Sequence, residues 1–277
     1  MVIYNCHTHT RNSPDSVADP HRMSEEAVKR GLSGYAITDH IDTELACQAD
    51  SGENPMGSIR DAQEQKKLFP QIKVFSGVEL AGAILDCNYE KYILSLNDWD
   101  IVMGSVHAVQ LPGHTEFFSG IDFSKYSDKL IDEYLTRYFA DVEETAETAD
   151  YDSLSHLTVP LRYIVHKYGR NVNIENYSES IERILKSVIR RNKSLELNTS
   201  GNSDKTPFFM PDAEIIKTYM RLGGTDFTIG SDAHIPDNID CGLKEGAKLL
   251  LSLGVSELNY YEKRNKIKYS IKGANEI

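Results

Sequence analysis

Short apolar runs of β type recur along this chain, each followed by a stretch long enough for a helix, and this alternation restricts the fold more than any other feature. The runs are Val2–Cys6, Tyr35–Thr38, Ile72–Val78, Ile101–Val106, Ser153–Ser155, Ser194–Leu197 and Phe227–Gly230, with an eighth, weaker one at Leu258–Tyr261. Amphipathic helical patterns stand between them. "DKLIDEYLTRYFADVEETAE" puts Leu130, Ile131, Tyr134, Leu135, Tyr138 and Val142 at helical spacing, and "SIERILKSVIRRN" does so with Ile181, Ile184, Leu185 and Ile189. Ser24 is placed to cap "EEAVKRG", with Gly31 or Gly34 ending that helix. "PDAEIIKTYMRLGG" opens on a proline and stops at glycines, and "GLKEGAKLLLSLG" closes the series. Strands alternating with helices build βα units and a parallel sheet. No internal repeat, low-complexity tract or Pro/Gly-rich linker interrupts the chain, so a single α/β domain over 1–277 is expected. The polar segment Thr43–Arg60 is long for a βα connection and reads as either a lid or a surface excursion.

The residues at the end of each run carry chemistry. The first run closes on His7-Thr8-His9, with Asp15 close behind, and the second on Thr38-Asp39-His40. Glu79, His107 and His156 come after the next three, Glu196-Leu197-Asn198 closes the sixth, and Asp232-Ala233-His234 comes after the seventh. In a βα barrel the strand ends converge on the face that carries active sites, so these distant residues would meet. Imidazole and carboxylate without thiolate suit zinc, iron(II) or manganese. Six imidazoles and three carboxylates (His7, His9, Asp15, His40, Glu79, His107, His156, Asp232, His234) are too many for one ion. Shared over three divalent ions with bridging carboxylates, they supply about four to five ligands each. His7 and His9 leave an extended segment on the same side, as do Asp232 and His234. Asp39 reads as a carboxylate orienting His7 or His9, or as a helix cap. His21, His114 and His166 lie off the strand ends and read as loop or helix residues.

Composition limits the partners. With 40% hydrophobic and 26% charged residues the chain can build a sizeable core, and no run approaches the ~18 apolar residues that span a bilayer. No basic region precedes an apolar core near the start, so no secretory leader is expected. Cys6, Cys47, Cys87 and Cys241 show no CxxC spacing and suit reduced thiols in a cytoplasm. A net charge of −12 repels nucleic acid and phosphate, so a phosphate site must carry local positive charge. Three divalent ions would bring roughly +6 against roughly −3 from Asp15, Glu79 and Asp232.

The motifs "HTHT", "TDH", "GVEL", "SVH", "SHL" and "SDAH" resemble those of the PHP (polymerase and histidinol phosphatase) family, in order and over essentially the whole chain. "GSVH", "LELNTSG" before an aromatic-proline segment, and "GSDAHIP" followed by a terminal helix and "YYEKRNKIKYSI" resemble its histidinol-phosphate phosphatase branch. The resemblance implies a distorted seven-stranded (β/α) barrel and a trinuclear metal centre held by the same nine residues. Two departures stand out. The family usually places an aspartate at the position of Asn5, whose amide keeps a hydrogen bond but not the charge. The branch tends to carry a phosphate-holding arginine after the "NTSG"-like stretch, where "NTSGNSDKTPFF" offers Lys205, a point charge without the bidentate fork. Arg162, six residues after His156, is the better candidate for the phosphate clamp, with Asn198 as a further substrate contact.

The implied activity is metal-dependent hydrolysis of a small phosphomonoester, first of all L-histidinol phosphate in histidine biosynthesis. Glu79 is expected to be essential, and Asp232 or His234 stands as a candidate proton donor to the leaving group. Phe117 and Phe118 could contact an imidazole ring or pack in the core. A phosphoesterase for nucleotides or short oligonucleotides would share the metals behind a different outer pocket, but the low basic content disfavours long nucleic acid. A non-catalytic metal-binding module is disfavoured because all nine ligand positions are filled. The expected partner is therefore a small phosphorylated molecule, with no membrane and the oligomeric state open.

Overall fold

The structure, a computed structural model, describes residues 1–45, 51–111, 114–203 and 207–272. β1 (Tyr4–Asn5) leads through α1 (Pro20–Lys29) to β2 (Gly34–Ile37) and β3 (His40–Asp42). Next come α2 (Pro55–Leu68), β4 (Lys73–Ala81), α3 (Cys87–Ser95) and β5 (Ile101–Ser105). A hairpin of β6 (Ala108–Leu111) and β7 (His114–Phe117) precedes the long α4 (Asp128–Thr148). β8 (Ser153–Leu154), α5 (Ser178–Arg190), β9 (Ser194–Asn198), α6 (Ala213–Arg221), β10 (Phe227–Gly230) and α7 (Leu243–Ser252) follow. The last two strands, β11 (Glu257–Glu262) and β12 (Asn265–Ser270), form a second hairpin.

The main sheet runs β1-β2-β4-β5-β8-β9-β10, with every pair parallel. β2 pairs with Lys73–Ser76 of β4 and β3 with Glu79–Ala81, so β2 and β3 share one strand position broken at Thr38-Asp39. The sheet curls until its two ends meet. Cys6 N–H donates to Ile229 O, Asp232 N–H to His7 O and His9 N–H to Ala233 O, each at 2.9 Å, and a parallel bridge joins Thr8 to Ala233. This is the expected (β/α)7 barrel, distorted at its second strand position.

Local chemistry moves several boundaries. α1 begins at Pro20 rather than at Ser24, because the Asp19 carboxylate accepts the His21 and Arg22 amides and proline is pre-set for the first turn. Ser24 lies inside the helix, its hydroxyl 2.6 Å from that of Tyr35. Gly31, at φ 72°, takes the left-handed turn that ends α1, a conformation only glycine adopts cheaply. α6 is capped by Asp212, so its proline precedes the cap. Within the Thr43–Arg60 segment a 3₁₀ turn covers Thr43–Leu45 and α2 starts at Pro55 behind the Asn54 cap; residues 46–50 of the expected lid or excursion lie outside the described residues. On α4 Leu130 is 47% exposed, and Phe139 takes its place on the buried face. The Leu258–Tyr261 run does not join the barrel and instead pairs antiparallel with β12.

Two apolar regions result. Strand residues such as Val78, Val102, Leu195 and Ile229 pack outward under Leu135, Ile184, Ile216 and Leu250 of the helices. Truncating a fully buried member such as Ile184 to alanine costs about 2–5 kcal/mol. Inside the barrel Cys6, Ala36, Phe75, Ile101 and Met103 meet Tyr260 and Tyr261, so the β11–β12 hairpin closes one end. Arg264 holds the hairpin down through Asp152 at 2.9 Å and Asp150 at 2.8 Å. Toward the other end, buried Thr228, Glu196 and Asn198 make the lining polar. Among the described residues no helix is long and apolar enough to cross a membrane.

Candidate metal centre

Glu79 is the hub of the polar end. It lies within β4, just beyond the expected end of that run at Val78, and is completely buried. Its Oε2 is 2.9 Å from His40 Nδ1, 3.2 Å from His7 Nε2 and 3.5 Å from His9 Nε2. Its Oε1 is 2.8 Å from His156 Nε2 and 3.1 Å from His107 Nε2. One carboxylate thus faces five imidazoles. Asp232 Oδ1 adds a second negative edge, 3.0 Å from His9 Nε2 and 3.7 Å from His7 Nε2. Asp15, at the mouth with its side chain 59% exposed, approaches His234 Nε2 at 3.3 Å and His40 Nε2 at 3.5 Å. The ring of His9 stacks against both His40 and His234, whose own ring centroids are 5.6 Å apart. All nine expected residues therefore come together.

The supporting side chains are as specific as the cluster. Glu196 Oε1 takes the Nδ1 proton of His7 at 2.7 Å while its Oε2 accepts the backbone N–H of His156 at 2.7 Å. Asp42 Oδ1 takes Nδ1–H of His107 at 2.7 Å, and Ser13 Oγ lies 3.2 Å from His9 Nδ1. These bonds leave Nε2 of all three rings turned toward Glu79, the arrangement that fixes tautomer and raises basicity in metal-binding histidines. Sequence reasoning missed Asp42 as a partner, although His40-Ile41-Asp42 has the same alternate spacing as His7-Thr8-His9. It read Glu196 only as a strand-end residue. Gly230 explains how His7 and Glu196 pack so closely, since a Cβ there would collide with His7 Cβ and Glu196 Oε1. Asp232 holds φ 51°, a strained backbone for a non-glycine residue and one that recurs at functional sites.

Buried polar atoms report what the cluster lacks. His7 Nε2, His9 Nε2, His40 Nδ1, His156 Nδ1 and Glu79 Oε2 are buried without a hydrogen-bond partner. Such atoms cost about 1–3 kcal/mol each unless something satisfies them. Three of them converge in one place, since His7, His9 and Glu79 offer atoms within 4.8 Å of one another. The triplets His9-His40-His234, His7-His156-Asp232 and Glu79-His107-His156 meet the same limit. A divalent cation fits this donor set.

Electrostatics agree. Burial opposes ionisation of Glu79, but the imidazoles of His7, His107, His40 and His156 outweigh it and hold the carboxyl well below its ordinary value. Asp232 is lowered in the same way, burial being overcome by His7, His9 and His234. Burial disfavours protonated His7, His40 and His107, yet the carboxylates beside them raise all three well above 6.5. His9 goes the other way, lowered by burial and by His40 and His234. Protons on His7, His40 and His107 balance the carboxylate charge, and a cation would displace those protons.

A cavity of ≈ 350 Å³ opens over the cluster, bounded by His40, His107, His156, Asp232 and His234 on one side and by Leu45, Phe117, Phe118, Val159 and Tyr163 on the other. Arg162 lines it and also the adjoining ≈ 440 Å³ hollow beside Ser231 and Ser200. Other expectations need correction. Asn198 does not line either cavity: it is fully buried, with its amide held by Glu196, Asp232 and Ser200. Asp39 does not touch His7 or His9; it binds Thr10 and Ser13, and reaches His9 only through Ser13. His114 begins β7 rather than a loop or helix. His21 sits at the exposed start of α1, and His166 stacks on Phe208. Lys205 and Cys47 lie outside the described residues.

A family model for the PHP domain matches residues 5–200. The chain belongs to the PHP domain family. This PHP chain is 28% identical over 269 residues to a "probable histidinol-phosphatase" of Clostridium acetobutylicum, covering 95% of this chain and 98% of that protein. It is 27% identical over 273 residues to a histidinol-phosphatase of Lactococcus lactis, covering 96% and 97%. The PHP barrel also superposes on a crystal structure of histidinol phosphate phosphatase from Lactococcus lactis complexed with zinc, L-histidinol and phosphate. The TM-score is 0.77 at 23% identity, over 96% of this chain and 98% of that one.

Proposed function

We propose that His7, His9, Asp15, His40, Glu79, His107, His156, Asp232 and His234 hold three divalent cations, and that the centre hydrolyses L-histidinol phosphate to L-histidinol and phosphate. The observation that carries this reading is Glu79, whose two oxygens each face a separate group of imidazoles, as a bridging carboxylate would. Asp15 beside His40 and His234 would offer donors to a third cation at the mouth. Zinc, manganese and iron all suit this mixture of nitrogen and oxygen donors. Bound cations supply positive charge that attracts a phosphate dianion and makes water acidic enough to attack phosphorus.

The chain's own residues do the rest. Arg162, at the shared edge of the two cavities, holds phosphate oxygens. Phe117, Phe118, Leu45 and Val159 form an apolar wall for the flat imidazole side chain, and Tyr163 lies 5.3 Å from Phe118 to extend it. Asp232 and His234 border the same space and are the candidates for bringing a proton to the leaving alkoxide. The size of the cavity favours a small monoester over an oligonucleotide. Relatives named histidinol-phosphatase across nearly the full chain support this substrate, and through it a place in histidine biosynthesis. Reduced thiols at Cys6 and Cys87 support a cytoplasmic setting.

The test is phosphate release from histidinol phosphate beside an aryl phosphate and a dinucleotide, with protein loaded with zinc, manganese or iron. No release from any phosphomonoester overturns the reading. Preference for the dinucleotide would favour the nucleotide-directed alternative.

A further inference from the structure

Arg162 is connected to Asp232 by an unbroken line of hydrogen bonds. Arg162 Nη1 donates to Ser200 Oγ at 3.1 Å, Ser200 Oγ donates to Asn198 Oδ1 at 2.7 Å, and Asn198 Nδ2 donates to Asp232 Oδ2 at 3.3 Å. Every link runs the same way, because a guanidinium only donates and a carboxylate only accepts. The amide of Asn198 is locked in this sense at both ends. Its Oδ1 also accepts Ser200 N–H at 3.1 Å, and its Nδ2 also faces Glu196 Oε2 at 3.3 Å. Asn198 is 0% and Ser200 6% exposed, so the central link between them is shielded from water, while the Arg162 end of the line borders the cavity.

The backbone around the line is braced on both sides. Thr199 N–H donates to Gly230 O at 2.8 Å and its hydroxyl donates to Cys241 O at 2.6 Å, which ties the end of β9 to the strand before Asp232 and to the start of α7. Arg162 opens a π-helical turn, Arg162–Lys167, a rare geometry that concentrates at functional sites. That turn is joined to the loop after Ser200 by His166, whose ring lies parallel to Phe208 at 3.6 Å.

We infer that Asn198 and Ser200 are positioning residues that set the guanidinium of Arg162 in register with Asp232, so that the phosphate-holding cation and the metal-holding carboxylate are fixed relative to each other. The inference rests on the phosphatase reading above for the role of Arg162. A long arginine side chain otherwise samples many rotamers and loses that freedom when an anion binds; holding it beforehand removes the loss from the binding step. Charges of opposite sign at the two ends polarise the intervening hydroxyl and amide in the same direction, which strengthens each bond.

The test uses the zinc-loaded full chain and the variants Ser200→Ala, Ser200→Thr, Arg162→Ala and the double Ser200→Ala/Arg162→Ala. Binding of inorganic phosphate is measured by calorimetry, KM and kcat with histidinol phosphate by phosphate release, and zinc content by elemental analysis. Ser200→Ala is expected to weaken phosphate binding and raise KM about tenfold, with a smaller change in kcat and unchanged zinc content. Ser200→Thr, which keeps the hydroxyl, should recover most of this. The double variant should be no weaker than Arg162→Ala alone, since residues acting through one another are not additive. Phosphate binding by Ser200→Ala within twofold of wild type, or losses that multiply in the double variant, would overturn the inference. Wild-type protein that binds phosphate in a Ser200-dependent way but turns over no phosphomonoester would overturn the phosphatase reading instead.

Discussion

Asn5 and Ser231 are joined by a reciprocal pair of hydrogen bonds: Ser231 N–H donates to Asn5 Oδ1 at 3.0 Å, and Asn5 Nδ2 donates to Ser231 Oγ at 2.7 Å. The same amide donates to Ile239 O at 2.7 Å and accepts His7 N–H at 3.2 Å. Asn5 thus fastens the first strand to the loop carrying Asp232 and His234, working as donor and acceptor at once.

An aspartate has no N–H for Ile239. Asn5→Asp should therefore place a buried carboxylate against a carbonyl oxygen and lower stability by about 1–3 kcal/mol, read by urea unfolding of the metal-free protein. Undiminished stability together with tighter zinc binding would show instead that the site prefers a negative charge at this position.

Glu79→Gln keeps the volume but removes the charge shared by five imidazoles. Elemental analysis should find fewer than two ions per chain, kcat should fall at least about a hundredfold, and far-UV circular dichroism should be unchanged. Full occupancy in the variant would deny Glu79 its bridging role.

Glu196→Gln tests the layer behind the ligands. Glu196 accepts from both His7 Nδ1 and the His156 amide, and an amide side chain cannot accept at both oxygen positions. Zinc affinity, measured by competition with a chelator, should drop about 10–100-fold. Gly230→Ala, which drives a methyl against His7 and Glu196, should be at least as damaging.

The barrel was legible in the recurring runs because outward-facing strand residues such as Val78 and Ile229 must be apolar to lie under helices. The cluster was legible because histidines and carboxylates closing successive strands have few other uses. Asp42 escaped notice and Glu196 was read only as a strand-end residue for a physical reason: a carboxylate that binds an imidazole behind the cluster looks, in sequence, like any acidic residue near a strand end. The start of α1 was misplaced because Asp19-Pro20 and Ser24 are both adequate caps locally, and the Ser24–Tyr35 contact that buries the serine is a tertiary event. Asn198 resembles a substrate contact because its place after Glu196 is right; the bonds that turn its amide inward come from Ser200 and Asp232.

The raised imidazoles give a pH signature. The pKa of His7, His40 and His107 is raised above the ordinary 6.5 by neighbouring carboxylates. Their contribution to folding is complete below about pH 6.5 and is lost as pH rises through the folded values. Glu79 and Asp232 are lowered, so their contribution is complete above the ordinary carboxyl range and is lost in acid. Metal-free protein should thus be most stable near pH 5–6 and weaken toward pH 8. Zinc-loaded protein should do the reverse over that interval, because zinc competes with protons for the same nitrogens. Thermal melts at matched ionic strength would show the two slopes crossing, and parallel slopes would rule out a shared set of nitrogens.

The seam between His7-Thr8-His9 and Asp232-Ala233-His234 also orders events during synthesis. A ribosome delivers the first two candidate ligands long before the last two, and the hydrogen bonds that set them side by side cannot form until both segments have emerged. A nascent chain stalled before His234 carries exposed histidines with no fixed geometry, open to whichever cation is nearest. Selective loading of such a centre would therefore have to follow release of the chain.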